Sequence, residues 1–375
     1  MRKSVVTAAL CVLLAACEPP ARNVLVHAAD DIPARLSEWG LVFADGLQFG
    51  LNDGVIPYEL NTPLFSDYAL KLRTVWLPDG TSADYNATRE FDFPVGTIIS
   101  KTFHYEKAAG WSAGAANVIR ADRESGLDER GQLDLGQYVL IETRLLVRYA
   151  GGWRAYPYVW NADQDEAFLE LAGDARPVRL VDSTLSEDIV YIVPDANQCA
   201  GCHASDHSSK ALRPLGLRAW QLNREISFSG EVVAQLDHWS STGLLSGAAD
   251  PPIAGTRWSM PGEATLQDRA KAYLDANCAH CHNPAGPADT SALHLNIDAP
   301  IDRLYGVCKP PVAVGRGSGD RPYDIYPGRP EESILVFRMQ HTDPAIAMPE
   351  LGRSSVHVEG VKAISDWIAS MNGDC

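Results

Sequence analysis

Cys199-Ala200-Gly201-Cys202-His203 and Cys278-Ala279-His280-Cys281-His282 are the stretches of this 375-residue chain whose residue types and spacing can do chemistry. Two cysteines three apart fall on one helical turn, so both thiols can add to the two vinyl groups of a single haem. The histidine directly after the second cysteine then presents its imidazole to the iron from the same side. The expectation is two covalently bound haem c groups, one on Cys199, Cys202 and His203 and one on Cys278, Cys281 and His282. His203 and His282 are the expected axial ligands. A structural zinc site is the rival use of two Cys-x-x-Cys pairs. Both pairs are followed by His, which zinc ribbons do not require, and a complete helical segment separates them. A thioredoxin-like dithiol needs a βαβ setting that surrounds neither pair. His280, inside the second motif, must face away from its own iron and is given no role.

The elements that must position these motifs change in style along the chain. From about Leu36 to Pro194, short apolar and β-branched runs are separated by turn signals. Leu70 to Trp76, Thr97 to Phe103, Tyr138 to Tyr149 and Trp153 to Trp160 read as strands, with Pro78-Asp79-Gly80 and Gly151-Gly152 among the turns. Many short strands with little helical periodicity predict an antiparallel sandwich-like domain. After Gln198, apolar residues recur at three and four. Val232, Val233, Leu236, Trp239 and Leu244 predict an amphipathic helix over Glu231 to Leu245, and Gly247 to Trp258 reads as a linker. Thr265-Leu266-Gln267-Asp268 is a capping-box-like start for a helix that runs into Cys278. Val361, Ile364, Trp367, Ile368 and Met371 predict a last helix. The expected fold class is α+β and multidomain: an antiparallel β-sandwich-like domain over 36–195, then a mostly α-helical diheme region. That region divides into a first haem segment over 196–258 and a second haem domain over 259–375.

The N-terminus sets the compartment. Met1-Arg2-Lys3 is a basic n-region, and Val5 to Ala16 is an apolar run broken only by Thr7. This is the pattern of a secretory signal. It is too short to span a bilayer, which takes on the order of 20 apolar residues. Leu14-Ala15-Ala16-Cys17 resembles the lipobox of bacterial lipoproteins. The resemblance implies removal of residues 1–16 and acylation of Cys17, an anchor that holds the chain on a membrane without crossing it. Glu18, rather than Asp, implies the outer membrane by the same resemblance, and residues 17–35 read as a tether. Of eight cysteines, Cys11 leaves with the signal, Cys17 takes the lipid and four serve the motifs. Cys308 and Cys375 remain, and an oxidising compartment lets them form a disulfide. The loop it closes spans 375 − 308 = 67 residues, for which chain entropy gives roughly 4 kcal/mol. The formal charge is −16, and loss of Arg2 and Lys3 makes it −16 − 2 = −18. Such acidity excludes non-specific nucleic-acid binding, because phosphate contacts demand Lys and Arg.

From Tyr273-Leu274 onward the chain resembles class I cytochrome c, with a helix before the haem motif, a loop carrying Met348-Pro349 and a final helix bearing Trp367. Pro327-Gly328-Arg329-Pro330, Ser333-Ile334-Leu335 and Arg338-Met339 are similar to the segment before the distal Met-Pro in bacterial members. The resemblance implies Met348 as second axial ligand to the His282 iron; Met339, the alternative, reads as helix core. For the His203 iron the residues leave His207, His238, Met260 or an open position. Arg316 and Arg321 read as exposed arginines, and Ser66-Asp67 and His104 show no triad spacing. As a whole, the chain resembles a family of exported diheme c-type cytochromes with a β-rich N-terminal domain. Beside both haem motifs, this rests on Pro57 to Asp67, Phe93 to Thr97, Ile141 to Arg144, Tyr158 to Asn161 and Cys308-Lys309-Pro310-Pro311. The resemblance implies electron transfer and names no substrate. The expected function is a lipid-anchored electron carrier facing the periplasm. Its partners are redox proteins: a dehydrogenase, another cytochrome or a terminal reductase. The alternative is a peroxidase-like diheme enzyme with an open position at the first iron.

Overall fold

The computed structural model describes residues 23–112, 115–121, 126–128, 131–204, 206, 208–228, 230–249 and 254–375. Runs rich in β-branched and aromatic side chains fold as strands wherever Gly or Asp lets the chain reverse. β1 (Val42–Ala44) and β2 (Gln48–Leu51) are followed by β3 (Ile56–Tyr58), the long β4 (Leu70–Trp76) and the two-residue β5 (Ala83–Asp84). Then come β6 (Ile98–Glu106), β7 (Asn117–Ile119), β8 (Gln132–Asp134), β9 (Tyr138–Tyr149) and β10 (Gly152–Trp160). β11 (Ala167–Leu169), β12 (Asp174–Val181) and β13 (Ser186–Val193) complete this half. The central sheet has the order β11-β10-β9-β6-β4-β3 and is antiparallel throughout.

Alternation along these strands covers both sheet faces. Leu70, Leu72, Ile98, Leu145 and Val147 pack on one side with Trp39 and the small β1-β2-β8 sheet. On the other side Val75, Ile99 and Leu146 join Leu217 and Trp239, while Phe103 and Val139 join Leu180 and Ile189 from β12 and β13. Residues 24–35, expected as tether, lie along the first of these layers. Leu25 N–H donates to Trp39 O at 3.0 Å, Tyr149 OH to His27 O at 3.1 Å and Tyr158 OH to Pro33 O at 2.9 Å. Residues 1–22, with the expected signal and Cys17, lie outside the described residues.

The expected fold class is corrected by the second half. With 29% of the described residues in strands and 17% in helices, the chain is mainly β there, and no mostly α-helical region follows the sheets among them. Among the described residues the α-helices are short: α1 (Gln198–His203), α2 (Ala219–Leu222), α3 (Gln235–Ser241), α4 (Leu266–Leu274), α5 (Ile334–Met339) and α6 (Val358–Ala369). The reason is visible between 283 and 333, where Pro284, Gly286, Pro287, Pro300, Gly306, Pro310 and Pro311 begin a succession of helix breakers. The helix expected over Glu231 to Leu245 is also corrected. Glu231–Ala234 is strand β15, paired antiparallel with β14 (Glu225–Phe228), and only Gln235–Ser241 turns helical before β16 (Leu245–Ser246). Val232 and Val233 satisfy a strand as well as a helix, and a neighbouring strand decides between them.

α4 begins as expected: the Thr265 hydroxyl accepts from Asp268 N–H at 3.1 Å. A π-helical turn, Asp275–Ala279, continues it into the second motif. α4 packs across α6, where a Cβ on Gly360 would sit 2.3 Å from Tyr273 Oη. Tyr273, Leu274, Tyr305, Met339, Ile364 and Trp367 share this core. Cys308 and Cys375 are joined by a disulfide. The half is bolted to the sheet by Asp67, whose carboxylate accepts from Ser354 N–H, Ser355 N–H and Ser355 Oγ–H at 2.7–2.9 Å. Asp67 therefore serves packing rather than a triad.

Candidate functional site

Each motif is fixed by its own local hydrogen bonds. Before α1, the Asp195 carboxylate accepts from Asn197 N–H and Gln198 N–H at 2.7 and 2.8 Å. The turn carrying the second motif is pinned on two sides. Asn277 Oδ1 accepts from Phe65 N–H at 2.8 Å, and Asp275 accepts from Ile297 N–H at 2.9 Å and pairs with Arg218 at 3.4 Å. Although 278 − 199 = 79 positions separate their first cysteines, the motifs touch. Cys281 Sγ lies 3.3 Å from Gly201 O.

Two adjoining cavities open beside this contact, about 1150 and 900 Å³ of space outside atoms, open solvent included. Cys199, Cys202, His203, Cys278, Met339 and Met348 line the first. Lys101, Arg144, His203 and His280 line both, and Arg73 lines the second. The cations come from the sheet. Arg73 on β4 stands directly opposite Lys101 on β6, which stands opposite Arg144 on β9. Like charges facing one another across strands oppose pairing. Arg144 is partly compensated by Glu142, 2.7 Å away and itself held by Tyr191 OH at 2.7 Å. Burial, with Arg144 and Arg73 beside it, pushes the Lys101 ammonium down to about 7. Such a row suits an anion laid across the sheet.

The three imidazoles of the motifs differ in their partners. His203 Nδ1 lies 2.8 Å from Arg213 O, so Nδ1 carries the proton and Nε2 keeps its lone pair. Ser291 Oγ, which donates to Ala288 O at 2.6 Å, accepts from His282 Nδ1 at 2.9 Å with the same result. Both are the outer contacts that orient metal-ligating histidines. His280 Nδ1 is buried without a hydrogen-bond partner. Burial above all pushes His203 down to about 3 and both His280 and His282 to about 4, leaving each ring neutral and able to donate to a metal. Burial also raises the Cys199 and Cys202 thiols and takes Cys278 and Cys281 up to about 12. Among the described residues no three His, Cys, Asp or Glu side chains group to hold a bare metal ion. The four cysteines thus do not gather into the tetrahedron of a structural zinc site. A porphyrin, which brings its own four nitrogens and needs one or two side chains on iron, fits this donor set.

No family model, curated protein or solved structure matches this chain. The cytochrome reading therefore rests on the chain's own residues.

The other expected residues scatter. Met348 is half-buried on the wall of the first cavity, its N–H donating to Arg338 O at 3.1 Å; His282 lines neither cavity. Met339, read as helix core, is buried in that core and also reaches the first cavity. His238 packs against Phe228, the rings tilted and 4.8 Å apart, Met260 is 41% exposed, and neither lines either of these two cavities. His207 lies outside the described residues. Arg316 pairs with Asp343 and is exposed, while Arg321 lies over the Phe337 ring at 4.0 Å. Sequence reasoning missed Arg73, Lys101, Arg144 and His280. The signal for the cations was a charge on the inward parity of strands that otherwise bury Val75, Ile99 and Leu146 there.

Proposed function

We propose that this chain is an exported diheme c-type cytochrome that carries electrons. On this reading a lipid on Cys17 holds it at the periplasmic side of the membrane, with the outer membrane as its site. One observation carries the proposal: two Cys-x-x-Cys-His motifs from distant parts of the chain meet at 3.3 Å and share the wall of one cavity. Haem c, when bound, supplies a one-electron iron couple.

The chain's own residues would do the rest. Cys199 and Cys202 would hold one porphyrin by thioethers, and Cys278 and Cys281 the other. Arg213 O and Ser291 Oγ would keep His203 and His282 turned with Nε2 to iron. Arg73, Lys101 and Arg144 would receive propionate carboxylates, which gives their alignment a purpose. Met348 remains the proposed second ligand to the His282 iron. Tyr273, Trp258, Phe65 and His357 pack ring on ring beside Cys278 and exclude water from that wall. The partners proposed are redox proteins, and the charge of −18 on the mature chain keeps nucleic acid away.

Intact-mass analysis of protein matured in a haem-ligating host tests this directly. The expected result is a gain of two haem masses, reduced to one by Cys199→Ala/Cys202→Ala or by Cys278→Ala/Cys281→Ala. Met348→Ala should abolish a methionine-to-iron charge-transfer band while both haems stay attached. A chain with no mass gain, or with zinc at the cysteines, sinks the proposal.

A further inference from the structure

We propose that His280, the residue between the two cysteines of the second motif, is the second axial ligand of the iron held by His203. The inference rests on the diheme reading above and adds to it the partner that the sequence left open between His207, His238, Met260 and an open position.

The first support is placement. Among the described residues, His203 and His280 are the only histidines on the walls of both cavities. They come together because the second motif lies against the first, with Cys281 Sγ at Gly201 O. A residue inside a Cys-x-x-Cys-His turn cannot reach the iron of its own haem, since the following histidine takes that side. It can reach the iron of a haem attached next door, and here the neighbouring attachment site is in contact.

The second support is the energetic state of the ring. His280 is 7% exposed and its Nδ1 has no hydrogen-bond partner among the described residues. A buried polar atom left unsatisfied is destabilising. No partner among the described residues offsets that cost, whereas a bond from Nδ1 to iron would. The neighbouring rings are already committed. His357, also on the first cavity, takes Tyr273 Oη at 3.0 Å and stacks on Phe65 at 4.1 Å. His238 packs on Phe228, away from both cavities.

The third support is rigidity. The π-helical turn Asp275–Ala279 immediately before His280 is held by Phe65, Ile297 and Arg218, and Asn283 Nδ2 donates to Ala279 O at 2.8 Å just after it. π turns are rare and concentrate at functional sites. A ligand supplied from a turn clamped at both ends keeps its geometry through changes of iron charge.

Two irons would then differ in ligand type: two imidazoles on the first, an imidazole and a thioether on the second. A thioether favours the reduced state relative to a second imidazole. The His203 iron becomes the lower-potential centre, and residues 280 to 282 tie it to the higher one through the backbone. Both axial positions of the first iron are filled, which removes the open site a peroxidase-like enzyme needs.

The test uses the full mature holoprotein with mass and haem count determined in every sample. Near-infrared magnetic circular dichroism and electron paramagnetic resonance of the oxidised wild type should show one bis-imidazole and one imidazole–thioether low-spin iron. His280→Ala should keep two haems and convert one iron to a high-spin form that binds one carbon monoxide per chain when reduced. Added imidazole should restore the low-spin signal, which a merely structural residue would not allow. His280→Met should stay low-spin and raise one of the two potentials. A wild type with two haems but no bis-imidazole iron overturns the inference and leaves the diheme reading standing, and no folding defect in a variant affects that spectrum. A wild type without haem defeats the diheme reading itself.

Discussion

Lys101 shows how a single residue can be costly to the bare chain. In an open chain a lysine titrates near 10.4; in this fold Lys101 titrates at about 7 because burial and the flanking Arg144 and Arg73 disfavour its charge. Between those values the open chain holds a proton that the fold does not. The contribution of Lys101 to stability therefore rises with pH from about 7 to about 10. In a chain kept free of cofactor by Ala at all four motif cysteines, urea unfolding should show that rise, and Lys101→Met should flatten it. The same substitution should leave the chain at least as stable at pH 7, because it removes a charge that burial and the flanking arginines disfavour. A cofactor-free chain whose stability is flat over that range would contradict the burial of this charge. What the sequence displayed at this scale was the motif itself: Cys, Cys and His at fixed offsets. It did not display Lys101 or His280, since each acquires its setting from a strand or a turn far away in the chain.

At the level of elements, α4 and α6 cross where Gly360 lets Tyr273 come close. Gly360→Ala places a methyl group against that ring, and overpacking of this kind costs about 1–3 kcal/mol. The midpoint of thermal unfolding should fall accordingly, and a variant as stable as wild type would show that the helices part without penalty. Strands were the legible elements. The runs starting at Leu70 and Tyr138 fold where alternation put them, over Leu70–Trp76 and Tyr138–Tyr149, because each buries two faces and has turn residues at its ends. The capped start at Thr265 was legible too, since its hydroxyl and Asp268 act on each other locally. Helical content as a whole was overread. α4, α5 and α6 send apolar residues into one core, and the Pro- and Gly-rich stretches between them keep each short. Glu231–Ala234 went to a strand since Glu225–Phe228 supplies a pairing edge, a fact no local window contains.

On the scale of the molecule, one chain end is closed by a covalent bond and the two halves by buried polar contacts. Cys375→Ser opens the 67-residue loop, and chain entropy alone sets the loss at roughly 4 kcal/mol. Denaturant unfolding with and without reductant should reproduce it; an unchanged midpoint would mean the loop contributes nothing. The wall shared by the motifs also constrains order of assembly. It is drawn from Phe65, Arg144, Cys199, Cys278 and Met348 at once, positions spread over most of the chain, so it exists only when folding is complete. By then Cys199 is 8% exposed, out of reach of any ligating enzyme. If the chain carries haem as proposed, porphyrin must join a slack polypeptide, and the fold must wrap around cargo already in place. On the same proposal, a host that exports the chain faster than it can load it would accumulate molecules that have shut with nothing inside.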